Sequence, residues 1–169
     1  KVLQHAEGVK EANPSFYRDL IDMAEKDETQ NLVLTRKVID LVRRKIMRRH
    51  VTIQSFSPPV CGFVRAEAPE LRVELLAHVD ADSKMTWEQW ERWAFLMRVH
   101  GFNCNYKALT EGRLESLQEA GLTVSPYTVN ELEDMKRLVA WGVDGIISDK
   151  PDLALSQSKT VNRAGGPKK

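Results

Sequence analysis

Polar residues recur where the chain's short apolar segments end: Ser55, then His78 and Asp80, Asn103 and Asn105, Tyr127 and Asn130, and finally Ser148 and Asp149. In a parallel βα array these carboxyl ends converge, so such residues can share one pocket of hydrogen-bonding and proton-carrying groups. Helix capping by itself accounts for Asn130 and Asp149. Of the four histidines, only His78 stands at a strand end. His50 and His100 each follow a helix, where a cation suits the negative dipole end, and His5 lies in a stretch that no element claims. No histidine pair has i, i+4 spacing and no Cys/His cluster occurs, which argues against a tetrahedral metal site. Asp80-Ala81-Asp82 with Glu91 has some letters of a calcium loop. Lys84 and Met85 occupy its fifth and sixth positions, where a ligand and a glycine are needed, so the stretch reads as a solvated loop. The basic run Arg43-Arg44-Lys45 with Arg48-Arg49 lacks interleaved aromatics and has Asp19, Asp22 and Glu25 nearby in sequence. It reads as a solvated helix face.

The elements that must position these groups alternate. Val51–Phe56, Leu71–Val79, Phe102–Asn105, Leu122–Tyr127 and Gly145–Ser148 read as strands. Between them, Leu32–Arg49 carries an apolar stripe of Val38, Ile39, Val42 and Ile46. Thr86–His100 presents Trp87, Trp90 and Trp93, a packing stripe rather than a stacking platform. Thr110–Ala120 stops at Gly121, and Asn130–Trp141 opens on a polar cap with Glu133 three residues on and stops at Gly142. Strand–helix alternation means a parallel sheet, open or closed into a barrel. The Ser-, Lys- and Gly-rich stretch 156–169 reads as a flexible tail, leaving 1–155 as the domain.

Composition narrows the class. The chain has 169 residues, with 25 Lys+Arg against 24 Asp+Glu for a net charge of +1. That balance excludes a strongly basic nucleic-acid binder, so no nucleic-acid partner is expected. No apolar run reaches the roughly 18 residues of a membrane span. Cys61 and Cys104 are too few for a disulfide framework and form no C-x-x-C pair. They fit a reduced interior or either side of a bacterial inner membrane, so the compartment stays open, with the cytoplasm slightly favoured over periplasm or secretion.

Four motifs in order carry a resemblance. V-T-I-Q-S-F (Val51–Phe56) resembles the "iqSFd" strand of the glycerophosphodiester phosphodiesterase family. G-F-N-C-N-Y (Gly101–Tyr106) is similar to its "g-x-n-x-x-y" strand. G-L-T-V-S-P-Y-T-V-N (Gly121–Asn130) resembles "G-l-x-v-x-x-W-T-V-N", with Tyr127 in place of Trp. W-G-V-D-G-I-I-S-D-K-P-D (Trp141–Asp152) resembles "x-G-V-D-G-I-I-T-D-x-P-D", with Ser148 in place of Thr. The resemblance implies a TIM-type (β/α)8 barrel that hydrolyses a glycerophosphodiester substrate to an alcohol and glycerol 3-phosphate with Ca²⁺ or Mg²⁺.

Residue by residue, the resemblance makes Lys10, Asn105 and Tyr127 substrate contacts. Lys10 and Asn13-Pro14 match the family's E-[IV]-K strand. Gly8 then stands where its metal-binding Glu belongs, and Glu7, one residue away, is the candidate metal ligand. The H-R-G, E-x-D and H-D motifs have no counterpart in context; Glu25-Lys26-Asp27 has the E-x-D letters within a charged helical stretch. No catalytic residue is therefore assigned, since the family's proton-transferring histidines belong to those motifs. A barrel of this type takes about 250 residues, so the chain reads as the last five or six βα units of a partial barrel, N-terminally incomplete. Impaired activity of the chain alone is expected, as is self-association through exposed sheet edges. The alternative is a non-catalytic relative of the same fold that binds phosphodiesters or a protein partner.

Overall fold

A computed structural model of the protein describes residues 29–80 and 82–156. They fall into two units: residues up to Leu76 with Thr86–His100, and Ala77–Met85 with the chain from Gly101 onward.

The first unit opens with α1 (Thr29–Arg44), which buries Thr35, Ile39 and Val42, one stripe at i, i+4, i+7. The helix stops five residues short of the sequence expectation. Ile46, expected on the buried stripe, lies beyond its end at φ 57° and is 78% exposed. Arg43 ties the last turn down, donating from Nε to Glu70 Oε1 at 2.8 Å and from Nη2 to Glu67 O at 2.8 Å. Strand β1 (Thr52–Ser55) then pairs in parallel with β2 (Arg72–Ala77), in the register Thr52↔Arg72 to Ser55↔Leu75. Val73, Leu75 and Ala77 are fully buried. Buried Glu74, on the opposite face, accepts from Gln54 Nε2 at 2.8 Å and Arg72 Nε at 2.9 Å, so its charge is matched.

Between these strands lies α2 (Pro58–Glu67), where the sequence analysis placed no helix. Prolines at the first two helical positions need no N–H partner, and the Ser57 hydroxyl accepts from Val60 N as N-cap. The unit closes with α3 (Trp87–Met97), capped by a reciprocal Thr86–Gln89 box. Trp87, Trp90 and Trp93 are all buried, the packing stripe expected. His100 departs from its expected role as a helix-end cation. Its Nδ1 accepts from Val73 N at 3.0 Å, and burial, followed by the nearby Arg65 and Arg72 charges, holds its pKa below the usual imidazole value.

The second unit holds β3 (Gly101–Cys104), buried throughout, then α4 (Glu111–Glu119) with Thr110 as N-cap and α5 (Leu132–Trp141) closed by Gly142 at φ 86°. Residues 151–156 form a last helical segment that includes Ser156, placed by the sequence reading in the tail. The two remaining expected strands do not form as such. Leu122–Tyr127 makes only the bridges Gly101↔Thr123 and Asn105↔Tyr127, and 145–148 is unassigned.

The reason is that side chains take over the ladder. Pro126 has no N–H to give. Ser125 N donates to buried Asn103 Oδ1 at 2.7 Å, and Val124 N to Asp144 Oδ2 at 2.8 Å. Asp144 N returns a bond to Val124 O, Ile147 N donates to Pro126 O, and Val129 N donates to Ile147 O. Gly145 makes this approach feasible, because a Cβ there would sit 2.6 Å from Ser125 Oγ.

Two outcomes follow from this packing. Gly145→Ala should cost about 1–3 kcal/mol in denaturant unfolding, and Ser125→Ala should recover most of it; strictly additive effects would refute the clash. Buried Cys61 and Cys104, both free thiols pushed up to about 12 by burial, should resist iodoacetamide at pH 8 in the folded protein and react once it is unfolded.

Candidate active site

Where β2 ends, the chain leaves the sheet through His78 and turns within a few residues. The Ser83 hydroxyl lies 2.6 Å from His78 O and 2.8 Å from Met85 O, and Ser83 N donates to Asp80 O at 3.0 Å. This stitching folds the loop back on itself. It brings His78 Nδ1 to 3.5 Å from Asp80 Oδ2 and His78 Nε2 to 3.6 Å from Asp82 Oδ1. One ligand atom from each of the three lies within 4.8 Å of the others. All three side chains are exposed, as a solvated loop requires, but the loop also gathers an imidazole and two carboxylates into a donor set that a metal ion can use. The sequence reading missed this because it tested the loop against a calcium-binding consensus and His78 against histidine pairs, never His78 with the two aspartates.

Asn105 joins the cluster from the end of β3. Its Nδ2 donates to Asp80 Oδ1 at 2.8 Å, and its Oδ1 accepts from Lys107 N at 3.0 Å, which fixes the amide's orientation. Tyr127 lies beside it: Tyr127 N donates to Cys104 O and Tyr106 N to Tyr127 O, both at 2.9 Å. The Tyr127 hydroxyl donates to Ala77 O at 2.7 Å. Burial first, then the neighbouring Cys104 and Asp80, raises its pKa well above the ordinary phenol value, so it stays protonated and keeps that bond. The two expected substrate contacts, Asn105 and Tyr127, are thus brought together around Asp80, with the Tyr127 hydroxyl engaged by backbone. The other two expected site residues, Lys10 and Glu7, lie outside the described residues.

A second polar knot forms from Asn130, Ser148 and Asp149. Asn130 Oδ1 accepts from Ser148 Oγ at 3.1 Å and Asp149 N at 3.0 Å, while its Nδ2 donates to Asp149 Oδ2 at 2.9 Å. The capping explanation for Asn130 therefore fails. The N-cap of α5 is Glu131, with no side-chain cap bond, and Asn130 instead pins the segment 148–149.

Comparison with known proteins gives this arrangement a context. The glycerophosphoryl diester phosphodiesterase family model matches residues 2–153. The chain is 32% identical over 121 residues to a Bacillus subtilis glycerophosphodiester phosphodiesterase, covering 69% of this chain and 41% of that protein. Among solved structures, the glycerophosphoryl diester phosphodiesterase homologue from Silicibacter pomeroyi superposes with a TM-score of 0.71 at 24% identity, over 82% of this chain and 48% of its own. A phosphodiesterase from Oleispira antarctica, solved with the product sn-glycerol-3-phosphate, superposes with a TM-score of 0.54 at 19% identity, over 64% of this chain and 41% of its own. The chain thus spans less than half the length of each of these relatives. It belongs to the glycerophosphoryl diester phosphodiesterase family, and its α/β fold is part of that family's TIM-type barrel.

Proposed function

We propose that this chain contributes one side of a metal-assisted glycerophosphodiester hydrolase site, centred on Asp80 and Asp82. The observation that carries this reading is the convergence of His78, Asp80, Asp82, Asn105 and Tyr127 where β2 and β3 end, as the chemistry of a βα barrel requires. The donor chemistry fits Ca²⁺ or Mg²⁺ through its two carboxylates. Hard divalent cations take oxygen ligands and leave further positions to water and phosphate oxygens. When bound, such an ion offsets the negative charge of the phosphodiester.

The protein's own groups have separate tasks in this reading. Asp80 and Asp82 would hold the cation, with His78 within ion-pair reach of both. Asn105 orients Asp80, so it is a positioning residue. Tyr127 forms an aromatic wall whose hydroxyl anchors Ala77. The substrate class is supported by the Oleispira antarctica protein, whose product is sn-glycerol-3-phosphate. Hydrolysis of such a diester breaks one P–O bond, delivering water's oxygen to phosphorus and a proton to the departing alcohol. In the family resemblance, that proton moves through histidines of the H-R-G and H-D motifs, which this sequence does not carry in context. Turnover by this chain alone is accordingly slow or nil.

Thermal unfolding in EDTA and in excess Ca²⁺ or Mg²⁺ tests the site. At about 100 times the dissociation constant, the cation should add about 2.7 kcal/mol of stability. Asp80→Asn and Asp82→Asn should each abolish most of the shift, and Asn105→Ala should weaken it by a smaller factor. A full shift in the Asp80→Asn/Asp82→Asn protein would place the cation elsewhere. Brisk hydrolysis of glycerophosphocholine by the chain alone would overturn the account of proton transfer.

A further inference from the structure

The basic run after α1 does not continue as a helix face, contrary to the sequence expectation. The helix stops at Arg44, and the chain turns before β1 opens at Thr52. The turn places Arg48, Arg49 and His50 around an open cavity of about 490 Å³ that Glu70, Arg72 and His100 also line. Thr52 and Arg72 are the first residues of β1 and β2, so the cavity sits at the amino-terminal edge of this strand pair. Active-site groups of βα barrels gather at the carboxyl-terminal edge, so a cationic cavity here needs a separate explanation.

Its charges are distributed unevenly. Glu70 already has its counter-charge from Arg43 at 2.8 Å, and that bond holds its carboxyl below the usual range. Arg72 shares its guanidinium with Glu74 at 2.9 Å. Among the described residues, no carboxylate lies within ion-pair distance of Arg48 or Arg49. His100 accepts at Nδ1 from Val73 N, which leaves Nε2 as the protonated donor of a neutral ring. Arg49 with no carboxylate in ion-pair reach, Arg48 facing only the Glu70 carboxylate that Arg43 already bonds, a third guanidinium shared, and imidazoles around one cavity complement a compact, doubly charged, many-acceptor anion. The lining has no Phe, Tyr or Trp on which a base could stack, which disfavours a single-stranded nucleic acid.

We propose that this cavity binds a phosphate dianion, as inorganic phosphate or a phosphomonoester, at a site separate from the hydrolytic one. The full chain should be titrated with inorganic phosphate by calorimetry in EDTA at constant ionic strength, with chloride as the control. Saturable one-site binding is expected. Arg48→Ala/Arg49→Ala should weaken it about tenfold or more, since both charged donors to the anion are lost. Arg48→Lys/Arg49→Lys should restore part of that loss. Asp80→Asn/Asp82→Asn should bind phosphate as the parent does, which separates this site from the hydrolytic reading whichever way that reading falls. Phosphatidic acid vesicles that displace phosphate would identify a lipid headgroup as an accepted source, and vesicles that do not would assign the site to free phosphate. Heats equal to those of chloride, or an affinity unchanged in Arg48→Ala/Arg49→Ala, would overturn the proposal.

Discussion

A buried backbone N–H without a partner costs about 1–3 kcal/mol, and at Val124 and Ser125 no neighbouring strand supplies the acceptor. Asp144 and Asn103 supply it instead, from side chains that stand where a ladder carbonyl would otherwise be. This substitution governs the second unit. It requires Asp144 to come close to Val124, and therefore Gly145 to lie against Ser125 with no Cβ between them. It also lets the chain accept Pro126 in the middle of a strand-like segment, since the N–H that proline lacks is not needed there. Gln118 Nε2 adds a second donor to the same Asp144 oxygen, Oδ2, at 3.1 Å.

The same arrangement sets the candidate site. Once residues 122–129 are fixed, Tyr127 N and O bond on either side of Asn105, to Cys104 and Tyr106, and the phenol reaches the Ala77 carbonyl. Ala77 is the last residue before the His78 loop, so the base of the loop is held from across the unit. Asn105 completes the link by donating to Asp80. Two exposed carboxylates, Asp80 and Asp82, share this short loop. Here His78 lies between them, 3.5 Å from Asp80 Oδ2 and 3.6 Å from Asp82 Oδ1, and the Asn105 amide donates on one flank.

Much of this was legible in the sequence wherever a local signal names a local structure. The helix starts at Thr86 and Thr110 and the stop at Gly142 rest on capping chemistry that depends on three or four neighbouring residues, and each falls where it was expected, whereas Asn130, expected to cap α5, does not. Helix α2 was within reach by the same logic, since Ser57 before two prolines is a start signal. It was obscured because prolines also end strands. What escaped was non-local. The strand reading of 122–127 followed β-branched and apolar letters, but pairing depends on Asn103 and Asp144, about twenty residues away on either side. His100 takes a charge from its place after a helix; burial and the Arg65 and Arg72 charges, all set by tertiary packing, give it the opposite tendency.

The family motifs can therefore be read as bonds rather than letters. In G-V-D-G-I-I-S-D the Asp accepts from Val124 N and the second Gly admits Ser125, while the Ser and final Asp are held by Asn130. In G-F-N-C-N-Y the first Asn closes the Ser125 edge and the second orients Asp80. One motif thus carries a structural amide and a loop-contacting amide two residues apart, and the end of the strand between them accounts for the split. Asn103 and Asn105 fall on the same face by period, but only Asn103 lies within β3, buried, while Asn105 is past its end where the chain is free to meet the loop. The boundary of β3 at Cys104 is what separates the residue that holds the fold from the residue that meets the His78 loop.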